Sequence, residues 1–176
     1  FAQKLQGKRV FGGLLHRLPD REPWKGLHLL DYSVREEFAV QNAVPTAEGA
    51  IEITMRETPD TLNGSRCLIT GYGRIGKVHS HMLAGLGAHV VVSARKPEDL
   101  SWIALAGYGC LHTQSLSEDT AFDFIFNTIP ALIFDRKRLA KLPKNCLLID
   151  LASAPGGIDF AAAENLGMTA IQALSL

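Results

Sequence analysis

The feature that most constrains this chain is a G-x-G-x-x-G segment at residues 71–76, between an apolar run and an amphipathic run. Residues 67–70 have the length and composition of a buried strand, and Ile75, Val78 and Met82 recur at helical spacing. In this context the first glycine permits a tight turn, the second lets a diphosphate approach the backbone, and the third lets the helix pack on the strand. The alternative is a glycine-rich turn that binds nothing. We predict a dinucleotide-binding loop formed by Gly71, Tyr72, Gly73, Arg74, Ile75 and Gly76.

The rest of the chain after residue 63 alternates between strand-like and helix-like patterns. Strands that read as continuous apolar runs are typical of a parallel sheet covered on both faces. Right-handed crossovers then produce a doubly wound, Rossmann-type α/β fold. We predict strands at 67–70, 89–93, 108–112, 122–128, 146–151 and 168–173, and helices at 74–86, 97–106, 135–142 and 159–166.

The domain organisation is predicted in three parts. Residues 1–44 suggest the end of a truncated α/β domain, with short strands near 8–13 and 26–31. The pattern Ser-x-x-Glu at 33–36 is typical of a capped helix start. Residues 45–62 are predicted as an interdomain helix and linker, since Pro45-Thr46 is a helix-start signal. Residues 63–176 form the Rossmann domain, and we expect the chain to be a fragment cut at both ends.

Composition excludes several classes of function. The chain has 18 basic and 18 acidic side chains, so we expect neither nucleic acid nor a membrane surface as a partner. No apolar run reaches the roughly 18 residues of a membrane span, and we expect a cytoplasmic protein. Cys67, Cys110 and Cys146 are best interpreted as buried reduced thiols. We predict no metal site, because histidines two apart, as in His79-x-His81, point to different sides of a helix.

The end of the second Rossmann strand bears on the choice of cofactor. NAD sites usually carry a carboxylate there, about 20 residues after the first glycine, to hold the ribose 2′-hydroxyl. Here Ser93, Arg95 and Lys96 occupy that tip, and a hydroxyl with two cations suits a 2′-phosphate. We therefore predict NADP, with NAD as the alternative. A solvated strand end with no ligand is the other interpretation of the two cations.

Polar residues also follow the next two strands, where a parallel sheet places its ligands. Asn127, Thr128 and Pro130 are predicted to lie near the nicotinamide ribose. Ser153 is predicted to meet the nicotinamide carboxamide or the substrate. Ordinary turn chemistry explains the same residue types equally well.

Several segments together resemble the A-type subunit family of dipicolinate synthase, from about residue 26 to the end. The more specific ones are Pro-Thr-Ala-Glu-Gly-Ala from Pro45 and Asp-Leu-Ala-Ser-x-Pro-Gly-Gly from Asp150. The others are the glycine loop, Ser-Ala-Arg-Lys at 93–96 and Phe-Asn-Thr-Ile-Pro at 126–130. The resemblance implies a cytoplasmic oxidoreductase of spore-forming bacteria that works with the B-type subunit of dipicolinate synthase. It implies oxidation of dihydrodipicolinate, a small dicarboxylate, to dipicolinate.

The implied reaction needs a hydride acceptor, a base and groups that hold carboxylates. NADP would accept the hydride. Thr46 is predicted to bind a substrate carboxylate at a helix start, and Glu48 is a candidate base. Stabilisation of the helix end explains Glu48 equally well. Two alternatives stay open: a dehydrogenase of a 2-hydroxy acid or amino acid, and a non-catalytic nucleotide-binding module. A homo-oligomer is compatible with either.

Overall fold

The computed structural model describes residues 2–5, 7–18 and 24–173. The chain divides into two compact units, Phe1–Asn42 and Ala43–Leu176. The sequence places this boundary after residue 44, and residues 174–176 of the predicted Rossmann domain lie outside the described residues. In the described ranges, no helix has both the length and the apolar character that a bilayer crossing requires.

The first unit contains a small parallel sheet. Strand β1 (Arg9–Gly12) pairs with β2 (His28–Asp31), where the sequence predicts strands. The predicted helix cap at Ser33 is wrong, because Ser33 lies in a 3₁₀ turn, Tyr32–Val34. Its hydroxyl donates to Oδ1 of Asp31 and accepts from the amide of Leu14. These bonds hold Ser33 in the turn, so the helix begins three residues later.

Helix α1 spans Glu36–Glu57 without a break. The prediction that a separate helix begins at Pro45 is therefore wrong. A proline removes one helical hydrogen bond, but buried residues recur three or four apart from Ala43 through Ala47 and Ala50 to Thr54. Continuous packing of that face outweighs the local break. As a consequence Thr46 lies inside a helix, away from any unpaired first-turn amides.

The second unit is a six-stranded parallel sheet in the order β5-β4-β3-β6-β7-β8. Counted from β3 this is the 3-2-1-4-5-6 order of a doubly wound Rossmann fold, which confirms the predicted fold class. The strands are β3 (Arg66–Thr70), β4 (His89–Ala94), β5 (Gly109–His112), β6 (Phe124–Asn127), β7 (Leu147–Asp150) and β8 (Ala170–Gln172). The helices between them are α2 (Arg74–Gly85), α3 (Pro97–Leu105), α4 (Arg136–Leu139) and α5 (Phe160–Asn165).

Side chains of the central strands alternate between two apolar cores, one on each face of the sheet. Ile69, Val92 and Phe126 pack on the face covered by α1 and α2. Leu68 and Ile125 pack on the face covered by α4 and α5. On this second face the apolar pattern ends in a row of four buried polar residues, one at or next to the carboxyl end of each of β4, β3, β6 and β7, and in register. The row consists of Ser93, Thr70, Asn127 and Asp150.

Cysteine burial agrees with the sequence in two of three cases. Cys67 and Cys146 are buried, and burial raises the pKa of Cys67 to about 11 and that of Cys146 to about 12. Cys110 is exposed, so its predicted burial is wrong. The reason is its position on β5, which is the edge strand of the sheet.

Candidate functional site

A crevice site is expected where β3 and β6 lie side by side. From β3 the chain continues to β4 on one side, and from β6 it continues to β7 on the other. In open α/β sheets the loops that diverge at such a point leave room for a ligand beyond the carboxyl ends of the strands. The loops here are residues 71–73, 95–96, 128–135 and 151–159.

The turn after β3 depends on Gly71. Its φ is +93°, a conformation that residues with a Cβ rarely adopt. Its amide donates to the carbonyl of Ser93 at 2.8 Å, which ties the turn to β4. A Cβ at this position would lie 2.6 Å from Oγ1 of Thr128. The turn is therefore held close against both neighbouring strands.

The other two glycines of the loop have different surroundings. A Cβ on Gly76 would lie 2.1 Å from the carbonyl oxygen of Gly71, so α2 packs directly on the turn. A Cβ on Gly73 would meet nothing within 4 Å, because this residue faces open space. Gly73 is also the N-cap of α2 and provides no side-chain cap. The start of α2 is thus accessible to a ligand that accepts hydrogen bonds from its amides.

The side chain next to the open glycine packs inward. Tyr72 is half-buried against the core, and burial raises its pKa. The ammonium group of Lys77 lies 5.4 Å from the centre of the Tyr72 ring. Arg74 is exposed in the first turn of α2, and Ile75 packs against the core. The approach to Gly73 is therefore bordered by cations and is not filled by the Tyr72 ring.

The end of β4 has one buried and two exposed polar residues. Ser93 is fully buried, and its hydroxyl has no hydrogen-bond partner among the residues that the structure describes. Arg95 and Lys96 are exposed. The structure thus presents two cations at this tip, while direct contact of a ligand with Ser93 stays a prediction.

Asn127 and Asp150 form a buried hydrogen-bonded chain with Thr70. The Thr70 hydroxyl donates to Oδ1 of Asn127 at 2.6 Å, and Nδ2 of Asn127 donates to Oδ1 of Asp150 at 2.7 Å. Nδ2 of Asn127 also donates to the carbonyl of Ile129 at 3.0 Å. The Asn127 side chain therefore bonds within the protein, and its predicted contact with a ribose stays a prediction.

Sequence reasoning did not single out Asp150. A carboxylate directly after an apolar strand is the signal that could have identified it, because such a group needs donors when it is buried. The structure provides them from three sides. Besides Asn127, the amides of Ala152 and Gly157 donate to Asp150, at 3.1 and 2.7 Å.

The loops after β6 and β7 meet beside this chain. Thr128 donates from its hydroxyl to the carbonyl of Thr70 at 2.7 Å. The carbonyl of Gly157 accepts from the amides of both Ile133 and Phe134 at 2.9 Å. Pro130 and Ser153 are exposed, one on each loop. Thr128 is thus bonded to the last residue of β3, and Pro130 and Ser153 lie exposed on the two loops that meet here.

Glu48 borders a groove on the surface beside α2. It is exposed on α1 and lines an open apolar groove of about 730 Å³, together with Met82 and Leu86. The groove extends along α1 from Glu48 to Arg56, and the carbonyl of Ala47, the residue before Glu48, lies near His79 of α2. The roles predicted for Thr46 and Glu48 stay predictions.

His79 is fully buried on α2, and His81 is exposed. The His79 ring meets Phe126 edge to face, with ring centroids 4.3 Å apart. Neither of its nitrogens has a hydrogen-bond partner among the described residues. Burial lowers the pKa of His79 to about 4, and the nearby carbonyl of Ala47 opposes this shift only in part.

We expect His79 to make the fold sensitive to acid. Its pKa is about 4 in the folded state and 6.5 as the ordinary value, so the unfolded state binds more protons between these values. The free energy of unfolding should fall below pH 6.5, by about 1.4 kcal/mol per pH unit and about 3 kcal/mol in all. Urea unfolding between pH 7.5 and 4.5 measures this. His79→Leu should lose this part of the pH dependence, whereas the control His81→Gln should keep the wild-type slope. Equal slopes for His79→Leu and wild type would contradict the assignment.

Comparison with known proteins agrees with this geometry. The family described as the NAD-binding domain of S-adenosyl-L-homocysteine hydrolase matches residues 42–174. The chain belongs to this family. The A-type subunit of dipicolinate synthase from Bacillus subtilis (strain 168) is 38% identical over 143 residues, which are 81% of this chain and 48% of that protein. The description of the matched family, an NAD-binding domain, supports a nicotinamide cofactor.

Two solved structures show the same likeness. The crystal structure of the A-type subunit of dipicolinate synthase from Bacillus halodurans is 36% identical and superposes with a TM-score of 0.81, over 84% of this chain and 51% of that one. The crystal structure of its Bacillus subtilis counterpart is 37% identical with a TM-score of 0.80, over 84% and 50%. The predicted resemblance is confirmed. The chain spans about half the length of the relatives it matches.

Proposed function

We propose that residues 43–173 bind a nicotinamide dinucleotide across the crevice between β3 and β6. One observation carries this proposal: Gly73 faces open space at the N-terminus of α2, while Gly71 and Gly76 lock the turn beneath it. The first-turn amides of α2 would hold the diphosphate, and the helix dipole would favour its charge. The two halves of the dinucleotide would then extend toward the ends of β4 and of β6.

We propose NADP as the preferred cofactor. At the end of β4, where a 2′-substituent of the adenosine ribose would lie, the described chain has Arg95 and Lys96 and no carboxylate. Guanidinium and ammonium groups bind phosphate through charge-assisted hydrogen bonds. Glu98 and Asp99 follow in the first turn of α3, where they suit the positive end of that helix.

For the whole protein we propose a role in oxidising dihydrodipicolinate to dipicolinate, together with a second, B-type protein of dipicolinate synthase. Support comes from the 36–38% identity to the A-type subunits of that enzyme. The oxidation removes a hydride and a proton, and a bound nicotinamide supplies the hydride acceptor. On this proposal, Ser153 and Pro130 border the nicotinamide side of the crevice and orient the ring. The cofactor claim and the reaction claim are separable, because binding can be measured on this chain alone.

Arg95→Ala tests the cofactor preference. We expect the Kd for NADPH to rise about ten-fold and the Kd for NADH to change by less than about two-fold, because only NADPH carries the 2′-phosphate. Fluorescence titration of each nucleotide measures both values. Lys141→Ala is the matched control, since Lys141 is an exposed cation before β7, in the other half of the sheet. Equal NADPH affinity in Arg95→Ala and wild type would remove the preference.

The reaction itself needs the full-length protein. Incubation with dihydrodipicolinate, NADP⁺ and the purified B-type protein should yield dipicolinate and NADPH in equal amounts. Tight nucleotide binding without turnover under these conditions would favour a non-catalytic nucleotide module. Turnover of a 2-hydroxy acid or an amino acid in place of dihydrodipicolinate would assign another substrate class.

A further inference from the structure

The carboxylate of Asp150 joins the last residue of β6 to the loop after β7. Asp150 is fully buried, at the carboxyl end of β7. Oδ1 accepts from Nδ2 of Asn127 at 2.7 Å, and Oδ2 accepts from the amide of Gly157 at 2.7 Å. The bond to Asn127 fixes the start of the loop after β6, and the bond to Gly157 fixes the end of the loop after β7.

These bonds extend to the glycine turn through Asn127 and Thr70. The register of the sheet places Thr70, Asn127 and Asp150 side by side on three adjacent strands. Thr70 donates to Asn127, and its carbonyl accepts from Thr128, whose Oγ1 borders Gly71. A displacement of the Asp150 carboxylate would therefore first displace the loops after β6 and β7. The glycine turn keeps an independent support, because the Gly71 amide is bonded to Ser93 on β4.

We propose that Asp150 is a positioning residue for the nicotinamide half of the bound dinucleotide and has little effect on the adenosine half. This inference rests on the proposed dinucleotide binding. The diphosphate lies at α2 and the adenosine ribose at β4, so the other half extends over the loops that Asp150 holds. Asp150 itself is buried and does not touch the ligand. It acts through residues 128–134 and 151–157.

An amide cannot replace this carboxylate. Both oxygens of Asp150 accept hydrogen bonds from donors, namely Asn127 and Ala152 on one side and Gly157 on the other. In Asp150→Asn one of these sites becomes an NH₂ group that faces another donor, which breaks a bond and leaves polar groups unpaired. We expect this lost bond to loosen the loop that it holds, while the volume of the core stays the same.

The test compares NADPH with ADP-ribose 2′-phosphate, which has the diphosphate and the phosphorylated ribose but no nicotinamide. Wild type should bind both. Asp150→Asn should bind NADPH about ten-fold more weakly or worse and bind ADP-ribose 2′-phosphate within about two-fold of wild type. A general loss of structure would weaken both ligands together. Asp119→Asn is the matched control, because both oxygens of Asp119 accept from the guanidinium of Arg66, at 2.7 and 2.5 Å, where β3 begins at the opposite end of the sheet.

Hydrogen exchange of the wild-type protein tests the same proposal without a variant that could fail to fold. NADPH should slow hydrogen exchange at the amides of Gly157 and Phe134, whereas ADP-ribose 2′-phosphate should leave their exchange rates unchanged. Failure of wild type to bind either ligand would overturn the proposed function and this inference with it. Two results would overturn this inference alone, provided that the wild type binds both ligands. One is an equal loss of affinity for both ligands in Asp150→Asn. The other is equal slowing of hydrogen exchange at Gly157 and Phe134 by both ligands.

Discussion

Gly73→Ala should raise the Kd for NADPH about 100-fold without lowering the stability of the fold. Apart from its two neighbours in the chain, a Cβ at residue 73 meets nothing within 4 Å, and the backbone there has φ −81°, which alanine adopts readily. The methyl group would occupy the space through which a diphosphate must approach the first amides of α2. Fluorescence titration with NADPH measures the affinity, and thermal unfolding of the same samples measures the stability.

Gly85→Ala is the control for the Gly73 experiment. Gly85 lies in the last turn of the same helix, and a Cβ there also meets nothing within 4 Å. Alanine inside a helix is favoured over glycine by about 1 kcal/mol, so this variant should melt slightly higher and bind NADPH as wild type does. If Gly73→Ala and Gly85→Ala bind NADPH equally well, the diphosphate does not lie at the N-terminus of α2. The open space at Gly73 would then no longer support the proposed cofactor site.

Gly76→Ala should damage the fold itself, by about 3 kcal/mol or more in the free energy of unfolding. The added Cβ would lie 2.1 Å from the carbonyl oxygen of Gly71, and 3.7 Å from the side chain of Ile69. Because the first contact is with backbone, rotation of a side chain cannot relieve it. Either α2 moves away from β3 or the turn at Gly71 opens, and both changes separate the amides that would hold the diphosphate.

Urea unfolding distinguishes the two glycine variants. We expect Gly76→Ala to have a lower midpoint than wild type and weak NADPH binding, whereas Gly73→Ala should keep the wild-type midpoint. High NADPH concentrations should restore little stability to Gly76→Ala, since stabilisation by a ligand requires affinity for the folded state. A wild-type midpoint for Gly76→Ala would show that α2 does not pack on the turn as described.

The parts of this protein that were predictable are those decided by local pattern. The spacing of Gly71, Gly73 and Gly76 between an apolar run and a helical run predicted both the turn and the helix start. Apolar strand cores alternating with helical patterns predicted a parallel doubly wound sheet, which the strand order confirms. Such features depend on a few neighbouring residues, so a single sequence contains them.

The errors arose where distant contacts overrule local signals. Pro45 is a helix-start signal, yet α1 continues through it because its buried face is packed on both sides of the proline. Ser33 matches a capping pattern, but Asp31 and Leu14 engage its side chain in a turn. Cys110 reads as a core residue, but its strand lies at the edge of the sheet. The contacts with Leu14, the edge position of β5 and the packing of α1 depend on residues far apart in the chain.

The sequence by itself determined that a glycine turn joins a buried strand to a helix, since Gly71 has the positive φ of the turn and Gly76 packs directly on it. The tertiary structure alone decided which polar residues meet. It aligned Thr70, Asn127 and Asp150, which are 57 and 23 residues apart in the chain, on adjacent strands of one sheet. It also brought Glu48 of α1 into one surface groove with Met82 and Leu86 of α2. Strand order and helix direction set these distances, and they exist only when the whole sheet has assembled.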